Sequence, residues 1–141
     1  MTSSSGEAVF PALLSELHNM LDFVKHTEQL QAFPKDKLLK LELACEELLV
    51  NIISYAYQDS VSPGTITISC DGDPKEFCVT IKDYGTSFNP LTATIDIQTC
   101  VPLDERKLGG LGIFLAKNSV DELQYERHAN ANIVHLKIHN T

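Results

Sequence analysis

The sequence is poor in basic residues: 11 Lys and Arg stand against 19 Asp and Glu, for a formal net charge of -8. Neutralising nucleic-acid phosphates needs clustered Lys and Arg, so this balance argues against nucleic acid as the main partner. No stretch approaches the ~18 uninterrupted apolar residues of a membrane span. The start, Met-Thr-Ser-Ser-Ser-Gly-Glu, lacks the basic region and apolar run of a secretory signal, which leads to the expectation of a soluble, cytoplasmic protein. Among Cys45, Cys70, Cys78 and Cys100 no pair has Cys-x-x-Cys spacing, so they read as reduced packing residues rather than a redox motif. His135 and His139 are four apart on a strand-like pattern without an acidic third ligand nearby, which argues against a metal site there. There are no internal repeats.

What is present suits one domain. The chain has 141 residues, 43% of them apolar, enough for a continuous core. The Ser-rich start, residues 1–8, reads as frayed. After Pro11, the recurrence of Leu13, Leu14, Leu17, Leu21 and Val24 predicts an amphipathic helix with Pro11 in its first turn. Past Pro34, Leu38, Leu41, Cys45, Leu48, Leu49, Ile52 and Ala56 share one face of a longer helix over 35–57. Alternating, β-branched runs predict strands at 65–70, 77–81, 122–126 and 133–138, with turns at 62–64, 71–74 and 129–132. Residues 85–108 have no sustained period, the mark of a functional loop or lid. A short apolar helix follows over 111–119. Early helices, later hairpins and one interrupting helix predict an α+β two-layer sandwich, a mixed and mostly antiparallel sheet with helices on one face.

Three patterns carry chemistry. On the second helix, Glu47, Asn51 and Tyr55 form a row beside the apolar face, while Glu46 lies about 100° round from Glu47. A carboxylate and an amide oxygen one turn apart suit a hard cation such as Mg²⁺; the carboxylate can instead act as a general base, and a solvated flank has the same appearance. Second, Asp83-Tyr84-Gly85 follows a strand. Its carboxylate can receive an exocyclic amine while the glycine lets backbone approach a flat ring, although an ordinary Asp-x-Gly turn reads the same way. Third, Lys107-Leu108-Gly109-Gly110-Leu111-Gly112-Ile113-Phe114 places glycines at a helix start, where exposed N–H groups and the helix dipole favour phosphate. The segment is neither a P-loop nor a Gly-x-Gly-x-x-Gly fingerprint, and a flexible hinge is its bland reading.

Taken in order, these patterns resemble the histidine-kinase-like ATPases. Leu43-Ala44-Cys45-Glu46-Glu47-Leu48-Leu49-Val50-Asn51 is similar to their Glu/Asn helix. Val79-Thr80-Ile81-Lys82-Asp83-Tyr84-Gly85 resembles their adenine box, and Gly109-Gly110-Leu111-Gly112-Ile113 through Asp121-Glu122 their second glycine box with the strand after it. Within that superfamily the chain looks most like the compact bacterial anti-sigma-factor serine kinases, over about 10–138. The resemblance implies ATP held under a lid over roughly 87–108, with Mg²⁺ on Asn51 and Glu47 as general base toward an acceptor hydroxyl. It further implies Asp83 on the adenine amine, Gly85 shaping the ring pocket, and Gly109, Gly110 and Gly112 along the phosphates. Leu111 and Ile113 would anchor the helix, and Arg106 and Lys107 would meet the γ-phosphate. Tyr55 and Ser87 depart from the family pattern, which often has His and Gly there.

The function so implied is a protein-serine kinase that uses Mg·ATP on an anti-anti-sigma partner of STAS type and so controls a sigma factor, with homodimerisation as a family expectation. The alternative from a different class is a nucleotide-gated module that sequesters a sigma factor or another regulator with little or no phosphorylation.

Overall fold

The computed structural model describes residues 6–57, 64–87, 116 and 118–140. Five strands form one sheet: β1 (Gly6–Pro11), β2 (Thr65–Gly72), β3 (Glu76–Asp83), β4 (Glu122–His128) and β5 (Ala131–His139), in the order β1-β2-β3-β5-β4. Among the described residues, helices α1 (Leu17–Lys25) and α2 (Lys35–Asn51) pack on this sheet as the other layer of the α+β sandwich. Short 3-10 turns at Leu14–Glu16 and Glu28–Ala32 flank α1, and a π-helical turn at Ile52–Ala56 prolongs α2.

Alternation along the strands decides which sheet face is covered. Ile66, Ile68 and Cys70 of β2, Phe77, Val79 and Ile81 of β3, and Val134, Leu136 and Ile138 of β5 are all buried, while the residues between them are partly exposed. The helices complete the same core with Met20 and Val24 of α1 and Leu41, Ala44, Cys45, Leu48 and Leu49 of α2. Each such side chain contributes roughly 1.5–3 kcal/mol on burial. Phe33, just before α2, meets Phe77 edge-on at 6.5 Å between centroids, a favoured aromatic geometry. Burial keeps the Cys70 thiol protonated, with its pKa pushed up to about 11, and raises that of Cys45 as well; protonated thiols are poor nucleophiles, in keeping with packing roles.

The register explains the strand order. β5 sits between β3 and β4, with Ile81 opposite Val134 and Tyr125 opposite Val134 on its other side. β5 is rich in apolar residues, whereas β4 reads Glu-Leu-Gln-Tyr-Glu-Arg-His, a charged composition that suits an edge. All four pairings among the described residues are antiparallel, in keeping with the mostly antiparallel sheet expected. The two hairpins β2–β3 and β4–β5 are joined through β3 and β5, and that pair also runs antiparallel.

Two local readings need correction. Residues 6–8 are not frayed, because Gly6–Pro11 pairs with β2 from Gly6 opposite Cys70 to Pro11 opposite Thr65. Pro11 therefore ends an edge strand, where a missing N–H is tolerated, and the first α-helix begins at Leu17, with Leu13 and Leu14 exposed. The helix predicted over 35–57 holds through Asn51 and then widens into the π-helical turn. The 111–119 helix lies largely outside the described residues.

Candidate functional site

Asn51 is the last residue of α2, on the flank of the apolar face formed by Cys45, Leu48 and Leu49. It is buried. Its Nδ2 donates to the Glu47 carbonyl at 2.7 Å, which fixes the amide and directs Oδ1 elsewhere. That Oδ1 is buried with no hydrogen-bond partner among the described residues. An amide oxygen left so costs stability, roughly 1–3 kcal/mol, and such groups in native proteins call for an explanation such as an absent ion or water. Glu47, one turn earlier, is half-buried, and desolvation followed by the neighbouring charge of Glu46 raises its pKa.

Asp83 ends β3 and is buried. Its Oδ1 accepts the Gly85 N–H at 2.9 Å and Asn132 Nδ2 at 3.0 Å. Desolvation raises its pKa, opposed by these two hydrogen bonds and by the charge of Arg127. Asn132 lies opposite Asp83 in the β3–β5 register, and its second amide proton goes to the Thr86 carbonyl at 2.9 Å. Tyr125 donates its hydroxyl to Asn132 Oδ1 at 2.7 Å, and Arg127 Nη1 donates to the Gly85 carbonyl at 2.9 Å.

The π-helical turn joins these two sets of residues. Widening at a helix end frees carbonyls from the regular ladder, and the Ala56 carbonyl accepts the Thr86 N–H at 2.8 Å. The approach is so close that a Cβ on Gly85 would stand 2.2 Å from that carbonyl oxygen, so only glycine fits without movement. Tyr57 adds a second tie: its hydroxyl donates to the Thr65 carbonyl at 2.6 Å and accepts the Tyr84 N–H at 2.7 Å. Its ring fills the space a side chain at Gly64 would need.

The result is a small cleft lined by Leu48 and Asn51 of α2, Ile52 and Ala56 of the π-helical turn, Asp83 of β3, and Asn132 and Val134 of β5. Two of the residues singled out in the sequence, Asn51 and Asp83, thus face one space although 32 positions separate them along the chain. The cleft, about 20 Å³ among the described residues and so large enough for about one water, sets apolar walls beside an acceptor carboxylate and an orphaned amide oxygen. The amide oxygen fits a hard cation, since Mg²⁺ takes one or two protein oxygens and keeps several waters. Among the described residues there is no group of three His, Cys, Asp or Glu able to hold a metal by themselves. A separate apolar groove of about 140 Å³ between α1 and α2, lined by Leu21, Leu38 and Leu39 among others, contains none of the predicted site residues.

The chain's matches to known proteins accord with this geometry. A family profile described as the histidine kinase-like ATPase domain matches residues 10–138, most of the chain. The chain belongs to the histidine kinase-like ATPase domain family. A serine-protein kinase, RsbW of Bacillus subtilis strain 168, is 25% identical over 105 residues, covering 72% of this chain and 65% of that protein. The structure of the RsbU and RsbW domains of Rv1364c from Mycobacterium tuberculosis superposes with a TM-score of 0.66 at 12% identity, over 96% of this chain and 32% of that one. The blue-light-activated histidine kinase of Erythrobacter litoralis EL346 gives a TM-score of 0.55 at 21% identity, over 77% and 32% of the respective chains. At such identities the structural likeness establishes the fold.

Within this histidine kinase-like domain, Arg106, Lys107, Gly109, Gly110, Leu111, Gly112 and Ile113 lie outside the described residues, as does nearly all of the predicted 87–108 lid. Three residues of the cleft and its rim escaped the sequence reading. Asn132 falls in the turn predicted over 129–132, Tyr125 in the strand predicted over 122–126, and Arg127 in neither. The pairing of β5 with β3, which sets the Asn132 amide opposite the Asp83 carboxylate, is decided by tertiary structure and leaves no local signal in the sequence. Among the described residues no helix is long and apolar enough to cross a membrane.

Proposed function

We propose that this domain binds Mg·ATP in the Asn51–Asp83 cleft and transfers the γ-phosphate to a serine of an anti-anti-sigma partner of STAS type in the cytoplasm, so governing how much sigma factor is free. The observation that carries the reading is the orphaned Asn51 oxygen and the Asp83 carboxylate on one cleft, in a chain of this family with a serine-protein kinase among its relatives. Asp83 accepts the exocyclic N–H of adenine, and Gly85 leaves room for the ring. Asn51 holds the cation through Oδ1; when bound, Mg²⁺ neutralises phosphate charge.

Glu47 takes the proton of the acceptor hydroxyl as that oxygen bonds to the γ-phosphorus, while the bond from the γ-phosphorus to the bridging oxygen breaks and ADP leaves. A carboxylate made more basic by desolvation and a like-charged neighbour suits that task. The glycines and basic residues at 106–112 complete the phosphate side of the proposal.

The test is transfer of labelled γ-phosphate to the partner that co-purifies with the tagged protein. Glu47→Gln should bind Mg·ATP normally and lose transfer about 100-fold or more; equal transfer by both proteins would remove Glu47 from the mechanism. The departures at Tyr55 and Ser87 favour a second reading, nucleotide-gated capture without transfer. Its signature is a partner retained in the presence of ATP yet never labelled.

A further inference from the structure

Helices α1 and α2, with the 3-10 turn between them, enclose the apolar groove of about 140 Å³. Its floor is Leu21 and Val24 of α1, Leu30 of the turn, and Leu38, Leu41 and Cys45 of α2. Val24, Leu30, Leu41 and Cys45 are buried outright. Such side chains give a water molecule almost nothing to bond, and an apolar cavity of about 150 Å³ takes one benzene ring. The space therefore suits a single aromatic ring. It shares no lining residue with the Asn51–Asp83 cleft.

The mouth of the groove carries charge of uneven sign. Lys25 Nζ, from the last residue of α1, lies 3.5 Å from Glu42 Oε2 of α2, a loose ion pair across the opening. Glu42 is the more enclosed partner, its side chain 30% exposed against 47% for Lys25. Desolvation foremost, then the neighbouring Cys70 and Glu42, keeps the Cys45 thiol protonated, so the Glu42 charge is felt at the floor. Gln31 gives its Nε2 to the Lys25 and Thr27 carbonyls at 3.2 and 3.3 Å, which leaves its amide an acceptor oxygen to offer. The end of α1 adds the negative pole of a helix dipole. This opening favours a cation, and Lys25 supplies one through a pair worth at most about 1 kcal/mol, which a ligand can displace.

We propose that this groove is a binding site for a small aromatic amine, with one ring on the apolar floor and a primary ammonium, on a short tether, at Glu42 in the place Lys25 now holds. The site stands apart from the nucleotide reading and does not depend on it. The ring answers the volume and the apolar floor. The ammonium, all donors and no acceptor, answers the Glu42 carboxylate and the Gln31 oxygen. An aromatic acid of similar length would meet the Glu42 charge and a chain of net charge -8, with Lys25 alone in its favour. A neutral alcohol keeps the burial of the ring and forfeits the ion pair.

Methyl NMR on the full chain, with Leu, Ile and Val labelled, tests the site with phenethylamine, phenethyl alcohol and hydrocinnamate. Phenethylamine should shift the methyls of Leu21, Val24, Leu30, Leu38 and Leu41 to saturation. The alcohol should bind about fivefold more weakly, the weight of one half-exposed ion pair, and hydrocinnamate should not saturate. Glu42→Gln should bring the amine down to the affinity of the alcohol without changing the melting temperature. Lys25→Met removes the competing ammonium and should raise amine affinity several-fold, whereas a Lys25 that merely held α1 to α2 would lower it when replaced. Leu38→Phe fills the groove from a partly exposed wall and should abolish binding of the amine and the alcohol alike. Absence of saturable shifts, equal affinity for the amine and either other probe, or unchanged amine affinity in Glu42→Gln overturns the proposal. So do saturating shifts confined to Leu48, Ile52 and Val134, which line the other cleft.

Discussion

Asn51 carries a polar group that its described surroundings leave unsatisfied. Its Oδ1 is buried without a partner among the described residues, while its Nδ2 makes one bond to a carbonyl already inside a helix. Asn51→Leu keeps the volume, removes the unsatisfied oxygen and loses that one hydrogen bond, worth about 1 kcal/mol. The expected outcome is unfolding stability unchanged or up to about 1 kcal/mol higher in denaturant titration, with Mg·ATP binding abolished. A clear loss of stability would make Asn51 a structural residue. Glu47 yields a pH prediction. Desolvation and then the charge of Glu46 raise its pKa, so under the proposed mechanism phosphoryl transfer should climb with pH through a value above the ordinary glutamate range. Glu46→Gln removes the second cause and should shift that limb to lower pH, measured as transfer rate against pH. For stability the sign is opposite to the usual carboxylate: a raised folded-state pKa means that the folded protein holds the proton more tightly, so Glu47 burdens stability as pH rises through that value. Asn51 and Glu47 were legible in the sequence because helical periodicity places them in one row. The burial of Asn51 and its missing partner were not, since both depend on β3 and β5 closing over the helix end.

Elements decide how the site is held together. Helix α2 ends in a π-helical turn rather than a clean cap, and its carbonyl at Ala56 is spent on Thr86. Sequence periodicity predicted a helix through residue 57 but could not register the widening, because a single π turn leaves the apolar spacing almost unchanged. The β4–β5 hairpin closes through Ala129 and Asn130 at φ of 53° and 68°, both left-handed as a two-residue type I′ turn requires. Asn tolerates that conformation; Ala does not, at roughly 1–2 kcal/mol. Ala129→Gly should therefore raise stability by about 1 kcal/mol, seen as a higher denaturant midpoint at unchanged slope. An unchanged or lower midpoint would mean that the strain is relieved elsewhere. Because this turn sets the register of β4 against β5, with Arg127 opposite Asn132, a substitution that slips the hairpin by one residue should draw Tyr125 and Arg127 away from Asn132 and the Gly85 carbonyl.

For the molecule as a whole, ligand binding and folding are linked. A ligand that binds the folded state alone stabilises it by about 2.7 kcal/mol at 100 times its dissociation constant, which for a domain of this size is a rise in melting temperature of roughly 8 °C. Mg·ATP should produce such a rise in wild type, chelation of the metal should remove most of it, and Asp83→Ala should show none; a thermal shift that survives Asp83→Ala would place the nucleotide elsewhere. The chain's own pattern determined which segments became helix or strand and which face of each went inward, because helical and strand periods are local and the apolar residues obey them at α2, β2, β3 and β5. It also set the order of the chemical motifs. The β1 strand escaped notice, since Gly-Glu-Ala-Val-Phe-Pro is a short, half-exposed edge paired, among the described residues, with β2 alone. Tertiary structure alone decided that β5 rather than β4 would lie beside β3, that Asn132 would brace Asp83, and that Asn51 would face the same cleft. Those outcomes come from contacts between residues tens of positions apart, and such contacts form only when burying the shared core brings the two layers together.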